Sequence, residues 1–171
     1  MPELARYIRT IPDFPQPGVL FRDLTPLLAD AAALRAAVLA IVAPFREAGI
    51  GMVAGMEARG FIFGALAAAE LATGFVPLRK PGKLPAGVEA VTYALEYGTA
   101  TLEVHRDALK HGHRVLLVDD VLATGGTAAA SLDLVRRLGA EVAGCAFLLE
   151  LAALGGRQRL GGCRVHSVLQ M

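Results

Sequence analysis

Apolar residues recur along this chain in two rhythms, short continuous runs and helical spacing, and the two alternate. Leu4, Tyr7 and Ile8 fall at helical spacing, which predicts a helix over residues 3–10 that Pro12, Pro15 and Pro17 stop. Residues 31–48 carry the pattern of an amphipathic helix, opening on Ala31-Ala32-Ala33, and Ile50–Ala54 that of a short strand. A helical pattern through Ala67-Ala68-Ala69 follows Gly60, and Phe75–Leu78 reads as the next strand. Val91–Glu96 and Thr99–His105 alternate as two antiparallel strands joined around Tyr97-Gly98. Arg114–Val118 is an apolar run of the buried-strand kind, and Ala128, Leu132 and Val135 recur at helical spacing after it. Glu141–Glu150 and Val165–Leu169 complete the strands. Strands alternating with helices predict an α/β fold around a mainly parallel sheet, with no internal repeat.

The stretch with the most chemistry is Val118-Asp119-Asp120-Val121-Leu122-Ala123-Thr124-Gly125-Gly126-Thr127, between that strand and its helix. In a strand–loop–helix unit the loop lies at the carboxyl end of the strand, where open α/β sheets bind ligands. Gly125 and Gly126 let backbone N–H groups approach an anion, Thr124 and Thr127 add hydroxyl donors, and the helix N-terminus adds positive potential. Ala123–Thr127 is therefore a candidate phosphate cradle. Asp119 and Asp120 are unlikely neighbours for a phosphate unless they act through Mg²⁺ or on sugar hydroxyls. One molecule with a phosphate, a ribose and a Mg²⁺-chelated leaving group would use all of these groups. Neither a Gly-Lys-Ser/Thr P-loop nor a Gly-x-Gly-x-x-Gly fingerprint is present.

Two other loops carry charge. Gly55-Met56-Glu57-Ala58-Arg59-Gly60 again sits between strand and helix, and Arg59 has the planar fork suited to a diphosphate. Arg79-Lys80-Pro81-Gly82-Lys83 packs three cations around Pro and Gly, which predicts an exposed loop. Such a run serves either as a solvated face or as a lid that brings positive charge to a leaving group.

Composition narrows the classes. At 171 residues, 54% hydrophobic and 19% charged, the chain is long and apolar enough for one globular domain. Seventeen basic against sixteen acidic side chains leave a formal charge of +1, without the basic excess of a nucleic-acid binder. Pro44 and Glu70 break the longest apolar stretches below the ~20 residues a membrane span needs. The first turns carry Glu3, Arg6 and Arg9 and no apolar signal-peptide region, so a cytoplasmic location is expected, with no membrane partner. Cys145 and Cys163 lack Cys-x-x-Cys spacing and read as buried reduced thiols. His105, His111 and His113 share no metal-ligand pattern with Cys or Glu and read as turn or surface residues.

The run Val118–Thr127 resembles the phosphoribosyl pyrophosphate (PRPP) signature of the type I phosphoribosyltransferases. Pro12–Asp23 resembles the base-binding segment of that family's adenine-specific branch, Glu57–Phe61 its pyrophosphate loop, and Arg79–Pro85 with Leu95–Gly98 its mobile loop. The resemblance implies a type I phosphoribosyltransferase fold: one domain over 1–171, with a small amino-terminal hood at about 1–30, a core at about 31–171 and a mobile β-hairpin. It implies a purine-salvage glycosyltransferase that moves the 5-phosphoribosyl group from PRPP to adenine, giving AMP and pyrophosphate. A different base on the same scaffold (hypoxanthine, guanine, xanthine or orotate) and a non-catalytic PRPP-sensing regulator are the alternatives.

By the same resemblance, Leu20 and Phe21 hold the base, Arg22 donates to a ring nitrogen and Leu151 offers a second face. Taken alone, Phe21 reads as core and Arg22 as a surface charge. Glu57, Ala58, Arg59, Arg79, Lys80 and Lys83 would bind pyrophosphate, and Ala123, Thr124, Gly125, Gly126 and Thr127 the 5-phosphate. Asp119 and Asp120 would hold the ribose, with Arg59 and Glu96 completing the catalytic set and Glu96 managing a purine proton. Mg²⁺ is expected with PRPP and water near the two aspartates. A strained non-proline peptide bond near Glu57 and Ala58, and a homodimer whose lid loops serve the neighbouring site, are implied in the same way.

Overall fold

The alternation of apolar runs with helical patterns builds a parallel sheet covered on both faces. The computed structural model describes residues 3–94 and 98–171. After a 3-10 turn at Leu4–Tyr7 come β1 (Arg9–Pro12), β2 (Leu20–Asp23), α1 (Thr25–Ala29), α2 (Ala31–Val42), β3 (Met52–Met56) and α3 (Gly60–Glu70). Then follow β4 (Gly74–Leu78), β5 (Val88–Ala94), β6 (Thr99–His105), β7 (Arg114–Leu122), α4 (Gly126–Arg137), β8 (Glu141–Glu150) and β9 (Val165–Gln170). Five strands form the central sheet in the order β4-β3-β7-β8-β9, every neighbouring pair parallel.

β7 lies in the middle and its residues Val115–Val118 are fully buried, the signature of a parallel strand covered on both faces. Its side chains still alternate. Leu116 and Val118 join Phe63, Ala67 and Ile41 of α3 and α2, whereas Val115 and Leu117 join Leu132, Leu134 and Val135 of α4. α3 and α4 thus leave β3 and β7 toward opposite faces. Their N-terminal loops diverge and open a crevice at the carboxyl ends of the two strands, the position where such sheets bind ligands. Burying a side chain the size of Phe63 contributes roughly 1.5–3 kcal/mol, so both layers are firmly held.

Two antiparallel hairpins flank this core. β5 and β6 pair from Val88↔His105 to Ala94↔Thr99, and the Arg79↔Glu103 bridge ties the preceding loop to them. At the amino end β1 pairs with β2, Arg9 opposite Asp23 and Ile11 opposite Phe21. Here the expected helix over 3–10 is corrected: helical turns end at Tyr7 and Arg9–Pro12 is extended. Asp23 is the cause, drawing Arg9 into a two-pronged hydrogen bond, Nε at 2.9 Å and Nη2 at 2.5 Å, that a continuing helix would forgo. The helix expected over 31–48 stops at Val42, because Pro44 lacks an N–H and the chain tightens into a 3-10 turn at Ala43–Phe45. Its start is secured by Asp30, which accepts from the Ala33 N–H at 2.8 Å, a cap that contributes about 1 kcal/mol. The short α1, opening on Thr25-Pro26, had no counterpart in the apolar pattern. Among the described residues, no helix is long and apolar enough to cross a membrane.

Asp23 also accepts from the Thr25 N–H and hydroxyl, both at 2.9 Å, so it fastens β1 and β2 to α1. The Thr25 N–H first, then Arg9, lower its carboxyl from 3.8 to about 2. A carboxylate more acidic in the folded than in the unfolded chain stabilises the fold above its unfolded value, and that contribution fades as pH falls through the folded one. The thermal midpoint of the wild type should therefore exceed that of Asp23→Asn at neutral pH, with the gap closing between about pH 4 and pH 2. A pH-independent gap in thermal melts would show that charge at Asp23 is not what fastens the hood.

Candidate active site

The crevice floor is the end of β7. Asp120 is only 6% exposed, and its carboxylate pairs with the Arg59 guanidinium. Asp119 is half-buried, with one oxygen accepting the Asp120 N–H at 2.8 Å. Burial first, and then the adjacent Asp120 charge, push the Asp119 carboxyl well above the usual range, while Arg59 opposes the shift. Two acids thus share one cation. A ligand that brings hydroxyl donors or positive charge relieves the imbalance; a bare anion worsens it.

Immediately beyond, the chain turns from β7 into α4. Gly125 takes the turn at φ +79°, a left-handed conformation that costs a residue with a Cβ, and α4 begins at Gly126 with no side-chain cap. The first-turn N–H groups of α4 are therefore left for a ligand. Asp119, Val121–Ala128 and Phe147 line the resulting cavity. Beyond Asp119 its polar groups are backbone amides and the hydroxyls of Thr124 and Thr127. Thr127 meets the Tyr93 hydroxyl at 3.1 Å, which links the cradle to the β5–β6 hairpin.

The other wall of the cradle is a segment that sequence reasoning missed. Gly156 opens the 3-10 turn Gly156–Leu160, and its backbone presses on Ala123 and Gly125 so closely that a Cβ on either glycine would collide with the other strand of chain. Arg157 clamps that turn, reaching Glu150 at 3.0 Å and 2.5 Å and the Val165 carbonyl at 2.9 Å. Leu151 donates its N–H to the Leu122 carbonyl at 2.9 Å, and its side chain is half-buried against the first core. The Gly155-Gly156 doublet marks a turn in the sequence, but nothing in it names the partner.

The loop after β3 closes the crevice from the opposite side. Its Glu57–Ala58 peptide bond is cis, at the place the resemblance pointed to. The Glu57 carboxylate accepts the Lys80 N–H at 2.8 Å and lies 3.4 Å from Arg79 Nε, and the Lys80 bond above all lowers its pKa. Glu57 thus anchors the base of the cationic loop with the side chain that was expected to serve pyrophosphate. Ala58 is exposed at the loop tip. Gly60 packs on β7 so tightly that a Cβ there would lie 2.6 Å from the Asp119 carboxylate. Arg59 spans the site, pairing with Asp120 while its guanidinium stands 5.8 Å from the centre of the Phe21 ring.

In the hood, Phe21 meets Phe14 edge-to-face at 5.1 Å, and Leu20 is exposed. Arg22 Nη1 donates to the Thr10 hydroxyl, while its buried Nε has no partner among the described residues. Arg79 bonds the Lys83 carbonyl at 3.2 Å, and Lys80 and Lys83 are exposed. Between this loop and the hairpin, Glu57, Lys80, Tyr93, Thr101 and Thr127 border a cleft of about 680 Å³. Glu96 lies outside the described residues. The structure therefore gathers Phe21, Arg59, Asp119 and Asp120 with the 123–127 loop, and brings Lys80 to the cleft that Glu57 and Thr127 also border.

Residues 32–160 match the family model described as a phosphoribosyl transferase domain. The curated adenine phosphoribosyltransferase of Methylococcus capsulatus is 66% identical over 169 residues, 99% of each chain. The chain belongs to the adenine phosphoribosyltransferase family. The solved adenine phosphoribosyltransferase of Rhodothermus marinus superposes with a TM-score of 0.94 at 54% identity, covering 98% of this chain and 96% of its own. That of Saccharomyces cerevisiae, solved with an imino-altritol bisphosphate and adenine, has a TM-score of 0.90 at 38% identity, with 95% and 94% covered. The central sheet, hood and hairpin are thus those of the adenine phosphoribosyltransferase fold.

Within this member of the family, the Gly156 wall makes a specific prediction. Gly156→Ala must displace the Ala123–Gly125 loop, and a shift of about 1 Å there should lower kcat/KM roughly 100-fold. Steady-state kinetics with circular dichroism as a fold control tests it; an active variant with unchanged KM for PRPP would remove Gly156 from the architecture of the cradle.

Proposed function

We infer that the chain joins adenine to the ribose C1 of PRPP, giving AMP and releasing pyrophosphate. The observation that carries this reading is the placement at the end of one strand of an under-neutralised acid pair and a loop of unpaired amides, with Arg59 linking the acids to an aromatic hood.

The proposed roles follow from charge. As C1 loses pyrophosphate, positive charge grows on the ribose and negative charge on the leaving group. Asp119 and Asp120 accept from ribose hydroxyls and lie beside the developing cation; the hydroxyl donors offset the burial, and then the Asp120 repulsion, that raise the Asp119 carboxyl. The amides and hydroxyls of Ala123–Thr127 hold the 5-phosphate, so binding energy remote from the reacting bond orients it. Arg59 moves charge toward the departing diphosphate. Ala58 contributes backbone at the loop tip, and Arg79, Lys80 and Lys83 form the cationic lid. Phe21 supplies one face for the purine and Leu151 the second, with the Leu20 backbone at its edge. An unsatisfied buried N–H costs about 1–3 kcal/mol, and a purine ring nitrogen is the natural acceptor for the Nε of Arg22. Glu96 is assigned the purine proton on family resemblance.

The donor set also fits Mg²⁺ arriving on the diphosphate. That ion keeps several waters and takes one or two carboxylates with phosphate oxygens. The Asp119 and Asp120 carboxylates lie where waters on such an ion could be held, and Mg²⁺ arriving with PRPP would supply positive charge to the diphosphate. A homodimer is part of the same proposal, supported by exposed Ile62 and Leu66 on α3. We place the enzyme in the cytoplasm, where Cys145 and Cys163 stand as thiols.

Labelled adenine, PRPP and Mg²⁺ should yield labelled AMP, and the same assay with hypoxanthine, guanine, xanthine and orotate should yield far less product; preference for another base would reassign the substrate. Replacing both acids, Asp119→Asn with Asp120→Asn, should cut turnover about a thousandfold while the fold is kept. Near-normal turnover would remove them from the mechanism. For Arg59→Ala, calorimetric affinities for PRPP and pyrophosphate should each fall roughly tenfold or more.

A further inference from the structure

Away from the crevice, the two cysteines that look unrelated in sequence meet. Cys145 is in the middle of β8 and fully buried, Cys163 sits in the turn before β9 and is half-buried, and their sulfurs are 3.7 Å apart. Both backbones are held. Cys145 N–H donates to the Arg164 carbonyl at 2.8 Å and Cys163 N–H to the Leu160 carbonyl at 3.0 Å, while β8 and β9 pair in register from Cys145↔Val165 onward. The sheet ladder fixes Cys145 and the start of β9, and the turn bond to Leu160 holds Cys163 beside them. A disulfide needs its sulfurs at about 2.05 Å, so the pair must close further. Gly161 and Gly162, both at positive φ and with open space around their α-carbons, give the Cys163 side the freedom to do so.

We propose that Cys145 and Cys163 form an oxidisable dithiol, which hydrogen peroxide converts into an intramolecular disulfide within the folded chain. The half-buried sulfur of Cys163 is the one a small oxidant reaches. Hydrogen bonding from Cys145, and then the positive charge of Arg136, favour its thiolate, whereas that same bond and burial hold Cys145 as a thiol. The Cys163 thiolate attacks one peroxide oxygen, the O–O bond breaks, and the hydroxide that leaves is protonated to water. The sulfur of Cys145 then attacks the Cys163 sulfenic acid. An S–S bond forms, the S–O bond breaks, and the oxygen departs as water with the Cys145 proton. Two thiols lose two electrons in all, and one peroxide becomes two waters. The buried partner thereby intercepts the sulfenic acid before a second peroxide can carry it to the irreversible sulfinic state. The cross-link would bracket the segment that carries Glu150, Gly156 and Arg157, and so join the wall of the phosphate cradle to β8 by a covalent bond as well as by hydrogen bonds.

The test treats the native full-length protein with a small excess of hydrogen peroxide and maps unreduced peptides by mass spectrometry. The expected result is one linked peptide containing Cys145 and Cys163, loss of both titratable thiols, monomeric migration on non-reducing denaturing gels, and recovery of both thiols with dithiothreitol. In Cys145→Ala the sulfenic acid on Cys163 should be trapped by dimedone and should advance to sulfinic acid under conditions that leave the wild type linked. In Cys163→Ala, Cys145 should stay a thiol. Sulfinic acid at Cys163 in the wild type without the linked peptide, cross-links between chains in its place, or equal oxidation of Cys145 when Cys163 is absent would each overturn the proposal.

Discussion

Two carboxylates at the end of one buried strand, sharing a single guanidinium, are the constraint to which the rest of this molecule answers. Asp119 and Asp120 are adjacent in sequence, one half-buried and the other buried, so water screens their repulsion only weakly. Arg59 can neutralise one of them and is held there by the start of α3, which Gly60 allows to sit directly against β7. What is left is an electrostatic demand for hydroxyl donors or positive charge. In the proposed reaction a phosphoribosyl group that expels a diphosphate would meet it in the ground state through its hydroxyls, and more strongly as its ring becomes cationic.

The phosphate cradle works on the opposite principle, with partial charges in place of full ones. Its donors are amides and hydroxyls fixed by the left-handed turn at Gly125, the uncapped start of α4 and the backbone of Gly156. Such groups are oriented before the ligand arrives and reorganise little during reaction. The clamp from Arg157 to Glu150 braces the turn that Gly156 opens, and so bears on the shape of the 123–125 loop packed against it. The acids and the cradle are separated by only two residues, so in the proposed reaction one short segment would hold ring and phosphate of the same sugar.

Arg59 and Glu57 divide the work of the opposite loop. Arg59 faces inward to the acids and to Phe21, and so joins the hood to the catalytic floor. Glu57 bonds the Lys80 N–H and lies beside Arg79, and so joins the same loop to the cationic segment.

The parallel sheet, its buried central strand and the location of the cradle were legible in the linear chain, because each depends on a local pattern: an apolar run, two acids, two glycines and a helical period. The Phe21 hood, the Arg59 loop and the lid were legible through resemblance, since their residue types by themselves fit a core, a turn or a solvated face equally well. Other features exist only once the chain is folded. Residues 9–12 became a strand because Asp23, far along the chain, takes Arg9 as its partner. Gly156 became the wall of the cradle, Glu57 the anchor of the lid, and Cys163 the neighbour of Cys145, each by a contact across distant segments. Short-range propensity and periodicity act between residues a few positions apart and so are written in the sequence. Charge sharing, close backbone approach and sulfur proximity act through space, and only the packed sheet decides them.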